Sequence, residues 1–435
     1  MKITLINIGN FKEAEILIEG ITVIAGENNT GKSTISKTLF SIIKAYQEAK
    51  DFAFKEKTEI RFILRNLDRI LWFLIRREKL SSHLDKIVER LVNDIWYFKY
   101  EDDIDITFIK KIRDNLKDLR GVLRKENKKI IRSENLIKDI ERIEKELFSD
   151  IDFSGGYLEK SLNFQIRKNF RKQINNFREE KLSSVVLSKN KKKIFDIEIK
   201  NNQCIKFDKL EDLVITEISY IESPLILNKI KLFDSLKYLS PRLLRQIHIP
   251  YIEEDLVKKI RIPLSDIDLV DEVKNFIKEI ERTIGGKFEV EDEDIFFVEE
   301  ERKIYPINVA SGIKSFGIIY LLLKNGRLVD NTHMLILDEP EVHLHPKWQI
   351  KYAELLVKLY RDLGCHILIN SHSPDFIQAV RYYSNKYKVI DNVHFYFVDK
   401  KDKYSVIEQV DFNLTKIFSS LVEPMETMED LPFWT

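Results

Sequence analysis

The stretch GENNTGKST, residues 26–34, decides how the rest of the sequence is read. It follows the apolar run ITVIA (21–25) and precedes STISKTLFSIIKAY, whose apolar spacing is helical. Gly26-x-x-x-x-Gly31-Lys32-Ser33 has the spacing of a phosphate loop, and a strand before it with a helix after it is the setting that loop needs. Its glycines permit backbone angles that turn successive N–H groups toward one point, a concavity suited to phosphate oxygens. The loop residues Asn28, Asn29 and Thr30 lie between those glycines. The helix adds the positive end of its dipole. Lys32 is placed to reach β- and γ-phosphates, the Ser33 hydroxyl to ligate Mg²⁺, and Thr34 to meet the α-phosphate. The plain alternative is a glycine-rich turn that caps a helix, and the flanking pattern disfavours it.

Three later stretches supply matching chemistry. In HMLILDEPEVHLHP (333–346), Met334 to Leu337 read as a buried strand of the parallel-sheet type. Asp338 and Glu339 then stand at its carboxyl end, the edge where open α/β sheets bind ligands. Asp338 suits a Mg²⁺ shell and Glu339 suits polarising an attacking water. In NVASGIKSFG (308–317), Ser311-Gly312 follows an expected strand and opens an apolar helix, a terminus able to meet an anion or simply an N-cap. In HILINSHSPDFI (366–377) a strand ends at His372, with Ser373 and Pro374 as N-cap and first helical residue. One helix, 346–363, separates this histidine from the acidic strand, which places it for a γ-phosphate contact.

Composition limits the alternatives. The 435 residues are 44% hydrophobic, enough for a large core in two or three domains, and the formal net charge is +1. No global field drives such a chain onto nucleic acid or a membrane, though a local basic face is compatible with it. The two cysteines, Cys204 and Cys365, form no CxxC pair, so neither a disulfide framework nor a zinc site is indicated and a reducing cytoplasm fits. MKITLINIGNF reads as a first strand and not a signal peptide. The apolar runs ILWFLI (70–75) and FGIIYLLL (316–323) fall far short of the ~20 residues that span a bilayer, so a soluble, cytoplasmic protein is expected.

The pattern divides the sequence into residues 1–48 with the phosphate loop, a helical insertion over 49–183, and residues 184–435 with the remaining motifs. The insertion is rich in Lys, Glu, Arg, Ile and Leu at helical spacing, as in LIKDIERIEKELF (136–148), with a break at FSGGY (153–157). SVVLS, IFDIEIK and CIKFD then alternate as strands, and LVITEISYIESP (213–224) reads as another that leads into a turn at Pro224. Residues 225–284 return to helix and stop at Gly285-Gly286, hairpin strands follow, and DNVHFYFVDKKDKYSVIEQV reads as a last hairpin. Within NFQIRKNFRKQINNFREEKL (163–182), Phe164, Phe170 and Phe177 alternate with Arg167, Lys168, Arg171 and Lys172. That mixture can stack on single-stranded nucleic acid, but the phenylalanine spacing also fits a buried seam, which is the favoured reading.

Taken in order, these four elements resemble the ATP-binding-cassette ATPases: Walker A, signature, Walker B with its glutamate, and switch histidine. The resemblance covers residues 1–48 and 184–385, and a helical insertion after Walker A is typical of the soluble branch. DEPEVHLHP with SHSP is similar to the OLD-type ATPases of bacterial anti-phage systems. The resemblance implies an α/β head whose N- and C-terminal segments form one mixed sheet core around the phosphate loop, with a large α-helical insertion. It also implies ATP and Mg²⁺ as ligands and a homodimer that sandwiches ATP, with higher oligomers left open. Lys32, Ser33, Asp338, Glu339 and His372 would then act in cis, and Ser311 and Gly312 on the nucleotide of the partner. Lys32, Glu339 and His372 would be the catalytic groups. Departures exist: Ile313 and Lys314 replace the second glycine and the glutamine of the transporter signature, leaving Lys314 either at phosphate or solvated. The Q-loop glutamine has no clear counterpart, and Glu222 stands in its region. His343 and His345 are read as loop packing near the dimer seam and not as a metal pair.

The OLD nucleases carry a Toprim domain for which the residues after 385 leave no room. The expected function is therefore an ATP-driven switch or scaffold for a separately encoded effector, such as a nuclease or other toxin, in anti-phage defence. The alternative is a DNA-repair or recombination ATPase acting directly on DNA. A transporter subunit with a membrane partner is disfavoured by the insertion and the divergent signature.

Overall fold

The computed structural model describes residues 1–77, 82–98, 106–125, 138–143, 156–178, 181–236, 248–264, 269–292, 294–411 and 413–421. Residues 153–155 of the expected break, and residues 136–137 and 144–148 of LIKDIERIEKELF, lie outside them. Two compact units result: Met1–Gln47 with Leu162–Thr435, and Glu48–Ser161.

The first unit is built on a mixed sheet. Its strands are β1 (Lys2–Ile8), β2 (Phe11–Leu17), β3 (Ile21–Gly26), β4 (Ser183–Lys189), β5 (Lys192–Lys200), β6 (Gln203–Lys209) and β7 (Glu217–Ile221). A hairpin sheet of β8 (Lys287–Glu291), β9 (Asp294–Glu299) and β10 (Arg302–Ile304) stands apart. The main sheet is completed by β11 (His333–Asp338), β12 (His366–Ser371), β13 (Val393–Lys401) and β14 (Tyr404–Gln409). Its order is β6-β5-β4-β1-β2-β14-β13-β3-β12-β11-β7. From β13 to β7 every neighbour is parallel, whereas β6 to β2 form an antiparallel meander. Burial follows this division: β3 and β11 are buried at every residue, as a strand covered on both faces must be, while β4 alternates. The N- and C-terminal segments thus share one sheet, as expected.

Two elements differ from expectation. In LVITEISYIESP the strand covers only Glu217–Ile221, and the turn expected at Pro224 is a 3₁₀ turn whose N-cap, Ser223, accepts from Leu225 N. Ser311 follows a 3₁₀ turn, Pro306–Asn308, and not a strand. The last hairpin forms as β13 and β14, with β13 beside β3 in the middle of the sheet.

Helix α1 (Lys32–Arg77) runs unbroken through 46 residues, so the division between Gln47 and Glu48 falls within one helix. In the second unit, Leu64, Leu67 and Leu71 of α1 pack with α2 (Ser82–Phe98) and α3 (Ile106–Lys125). The buried stripes Leu84, Ile87, Leu91 of α2 and Ile112, Leu116, Leu119, Leu123 of α3 recur at three or four residues, the helical period. The return boundary is Leu162, inside α4 (Tyr157–Phe170), and not 184 as expected. The reason is polar anchorage to the first unit: Cys204 N donates to Asn163 Oδ1 at 2.7 Å, Asn169 Nδ2 to Ser41 Oγ at 3.0 Å, and Gly9 N to Ile174 O at 2.9 Å.

Further helices of the first unit are α5 (Ile230–Leu236), α6 (Tyr251–Arg261), α7 (Asp271–Ile284), α8 (Ser311–Lys324), α9 (Pro346–Leu363) and α10 (Pro374–Lys386). Helix α8 is buried at every residue from Lys314 to Leu323, which makes it a core helix and not a surface one. Helix α9 starts on the His345 cap with Pro346 and stops at left-handed Gly364.

Candidate functional site

Sheet register brings the chemistry to one edge. Ala25 pairs with Ser371, Asn370 with Asp338, and Leu337 with Ile221, so four parallel strands end side by side. The phosphate loop leaves β3 there. Gly26 has φ 154° and Gly31 φ 98°. A Cβ on Gly26 would lie 2.3 Å from Val398 O, and one on Gly31 2.8 Å from Phe11 Cε2, so neither position admits a side chain. Asn29 is also left-handed, at φ 61°, and with Asn28 it is exposed. Thr30 Oγ1 donates to Glu27 O at 2.8 Å and closes the loop.

Lys32 is buried, and its Nζ donates to Gly26 O at 2.7 Å and Glu27 O at 2.8 Å. Burial pulls its ammonium below the usual lysine range, against the opposing charges of Glu339, Asp338, Glu341 and Glu27. At the next residue, Ser33 Oγ donates to Asp338 Oδ1 at 3.0 Å. Two further donors hold that carboxylate: Asn370 Nδ2 on Oδ1 at 2.9 Å and Tyr220 hydroxyl on Oδ2 at 2.9 Å. Burial, reinforced by Asp338, drives the Tyr220 phenol far above its usual range, which keeps it a donor. Ser36 Oγ donates to Asn370 Oδ1 at 3.0 Å, so helix α1, β7, β11 and β12 all converge on Asp338.

Glu339 turns the chain at φ 49°, and its N–H donates to Asn370 O at 2.9 Å. The His372 Nδ1 atom stands 3.4 Å from Glu339 Oε1 and 3.4 Å from Glu341 Oε1. Glu341 is the tie between the two loops: its Oε1 accepts from Ser371 Oγ at 2.7 Å, His372 N at 2.8 Å and Ser373 N at 3.1 Å. Burial pushes its carboxyl above the usual range, although those donors work the other way. Glu341 Oε2 and His372 Nδ1 are buried without a hydrogen-bond partner among the described residues. Glu222 lines a narrow cleft with Asp338 and Glu339 and pairs with Lys37 at 2.8 Å.

The signature residues sit elsewhere on this chain. Ser311 Oγ donates to His343 O at 2.9 Å, and Gly312 faces Leu344 and Trp348. Ser311 is the first residue of α8 and Ala310 its N-cap, so the plain N-cap reading of the serine does not hold. Lys314 is not solvated: it is buried, with Nζ on Asn228 Oδ1 at 2.9 Å, and burial lowers its ammonium below the usual range. His345 Nδ1 accepts from Lys347 N at 3.3 Å as the cap of α9. Behind the site lies a buried chain of charges: Lys44–Asp255 at 3.0 Å, Asp255–Lys259 at 2.7 Å, Lys259–Glu217 at 2.6 Å and Glu217–Arg327 at 2.6 Å.

Sequence reasoning missed Tyr220, Asn370 and Glu341. Tyr220 and Asn370 read as strand filler, and only the second acid of DEPE could have pointed to Glu341. The residues present fit a magnesium triphosphate. Lys32 is bonded only to its own loop carbonyls among the described residues, so its charge is available to a phosphate. Among the described residues no three His, Cys, Asp or Glu side chains group as a metal site, and the donor set here is one hydroxyl and one carboxylate, Ser33 and Asp338, which suits a Mg²⁺ that takes its other ligands from phosphate and water.

The family model of the AAA ATPase domain matches residues 1–377. Comparison with curated proteins gives no match. Among solved structures, an SmcHead bound to the C-winged helix domain of ScpA aligns over 95% of this chain and 98% of that chain, at 10% identity and TM-score 0.41. An SMC head domain from Thermotoga maritima aligns over 94% and 98%, at 11% identity and TM-score 0.36. An Smc head domain with an extended coiled coil, bound to the C-terminal domain of ScpA derived from Pyrococcus furiosus, aligns over 99% of each chain, at 10% identity and TM-score 0.38.

Proposed function

The chain belongs to the AAA ATPase domain family, and from that premise we propose that it binds and hydrolyses ATP. The observation that carries the reading is the 3.0 Å bond from Ser33 Oγ to Asp338, which joins the phosphate loop to the acidic strand end. Ser33 and Asp338 would hold Mg²⁺, which supplies charge neutralisation on the phosphate oxygens when bound. Lys32 exchanges its loop carbonyls for β- and γ-phosphate oxygens. Glu339 accepts the proton of the attacking water, and His372, fixed beside it by the Glu341 tie, contacts the γ-phosphate. Tyr220 and Asn370 position the Asp338 carboxylate.

Ser311 and Gly312 are assigned to the nucleotide of a second copy, because their contacts on this chain are to the His343–Trp348 segment and not to the phosphate loop. ATP would then close a homodimer, and hydrolysis would remove contacts that both copies share. By the wording of DEPEVHLHP and SHSP we extend the proposal to a switch that controls a separately encoded effector in anti-phage defence.

Two variants test the chemistry. Glu339→Gln should retain ATP binding, lower turnover by on the order of 10²–10³-fold and accumulate the ATP-bound dimer. Lys32→Ala should lose both binding and turnover. Parental ATP hydrolysis by Glu339→Gln would sink the assignment of the base.

A further inference from the structure

We infer that the outer face of α4, with the chain at His248–Tyr251 beside it, is a binding surface for a single-stranded polynucleotide. The inference goes beyond the ATP reading and uses none of its residues. It starts from a difference between spacing and burial. The buried residues of α4 include Leu162, Gln165 and Ile166, whereas Phe164 and Phe170 are only half-buried, so the phenylalanines are not the seam that their spacing favours.

Contacts gather basic and aromatic groups into one patch. Phe164, Arg167 and Lys168 stand at i, i+3 and i+4, one face of a helix, and Arg171 follows the last turn. The Phe164 ring meets Tyr251 edge to face, with centroids 5.5 Å apart and planes at 75°. Arg167 and Lys168 lie 5.7 and 5.9 Å from the Phe164 centroid, near the outer limit of a cation–π contact, so they flank the ring. Tyr251 is also half-buried, and both rings keep surface in solvent. His248 stands beside the same cations: burial lowers its imidazole below the ordinary histidine range, the charges of Arg171 and Lys168 add to this, and a bond to the Lys168 backbone opposes it.

Charge and shape select the ligand. The neighbouring acids are taken, Glu254 by Lys168 at 2.8 Å and Glu253 by Lys229 at 2.8 Å. Arg171 is exposed and makes no ion pair among the described residues. Such a surface suits a ligand that is anionic and carries flat faces. A duplex hides its base faces, while a single strand offers phosphates and bases together, and an aromatic ring stacks on any base. Arg167 and Arg171 are four residues apart, about 6 Å along the helix axis, close to two base steps of a stacked strand at about 3.4 Å each. The face is also preset: Asn169 Oδ1 accepts from Ile252 N at 3.2 Å, and Asn169 Nδ2 donates to Ser41 Oγ at 3.0 Å. A preset surface gives up little conformational entropy on binding.

The test is fluorescence anisotropy of the full chain with labelled oligothymidylate, oligouridylate and duplex DNA of about 16 nucleotides, with polyglutamate as competitor. Single-strand affinity should fall with salt at a log–log slope of about −2, the value for three phosphates at about −0.7 each. Phe164→Ala should weaken single strands by about five- to hundredfold, the range for loss of one base–aromatic stack, and Phe164→Trp should bind as the parent does. Arg171→Glu changes an exposed side chain, so basal ATP turnover should stay at the parental value. It should weaken single strands and make the slope shallower by at least about 0.7. Loss of the DNA strand, the RNA strand or both in these variants sustains the surface and identifies its ligand. Absence of single-strand binding at low salt, duplex bound as tightly, displacement by polyglutamate of equal charge, Phe164→Trp as weak as Phe164→Ala, or an unchanged slope in Arg171→Glu would each overturn it.

Discussion

Replacing Glu341 tests the tie between the two loops of the site. One carboxylate oxygen receives the Ser371 hydroxyl, His372 N–H and Ser373 N–H. In Glu341→Ala all three donors lose it, but Ser373 N keeps a second acceptor, Ser371 Oγ at 3.1 Å. Two buried donors are then left open, at about 1–3 kcal/mol each, so a loss of about 2–4 kcal/mol is expected after partial relaxation. Glu341→Gln keeps an acceptor oxygen in place and should lose less than about 1 kcal/mol. Its pH dependence has a definite sign. The folded carboxyl holds its proton to higher pH than the unfolded one, so stability falls as pH rises from the ordinary glutamate range through the folded value. Glu341→Gln cannot lose that proton and should not share the fall. Denaturant titration of the full chain between acid and neutral pH, with the slope checked for constancy, measures both effects. ATP turnover should follow the same order, parent and Gln above Ala, because His372 moves with the loop. An Ala variant as stable as the parent, or a Gln variant as damaged as Ala, would refute the reasoning.

Other perturbations probe other parts. Tyr220→Phe removes one donor from Asp338, and should cost about 1–3 kcal/mol by denaturant titration and lower Mg²⁺-dependent ATP turnover; unchanged magnesium dependence would deny Tyr220 a positioning role. Asp255→Ala strips a buried partner from Lys44 and Lys259 and should destabilise by about 3–5 kcal/mol, whereas a small loss would mean those charges find water. Leu116→Ala, in the core of the helical unit, should cost about 2–5 kcal/mol there while calorimetric ATP affinity stays at the parental value.

The motifs were legible because each is local. Gly26 to Ser33 must be contiguous to fold one loop, and Asp338-Glu339 and His372 each end a recognisable strand. Tyr220, Asn370 and the buried charges from Lys44 to Arg327 were not, since a polar residue on an apolar strand or helix declares its purpose only when its partner from another element arrives. The change of composition near 48 marks no element end, for a related reason. Composition changes there, but a change of partner does not oblige a helix to stop, and α1 continues to Arg77. Phe177 was read as seam because it keeps step with Phe164 and Phe170, yet α4 ends at Phe170 and the period has no meaning beyond it.

The place of β13 beside β3 also bears on the order in which the protein can assemble during synthesis. Val393 to Val398 supply the ladder on one side of the strand that launches the phosphate loop, and Val398 O closes over Gly26. The helical unit has short-range contacts and its own apolar cluster, so it can form while the ribosome is still at work. The nucleotide strand cannot: until the hairpin emerges, Ile21 to Gly26 offer an unpaired edge, apolar but for Thr22, to any neighbouring chain. A nascent chain stalled before residue 393 should therefore expose its most aggregation-prone segment and hold no ATP.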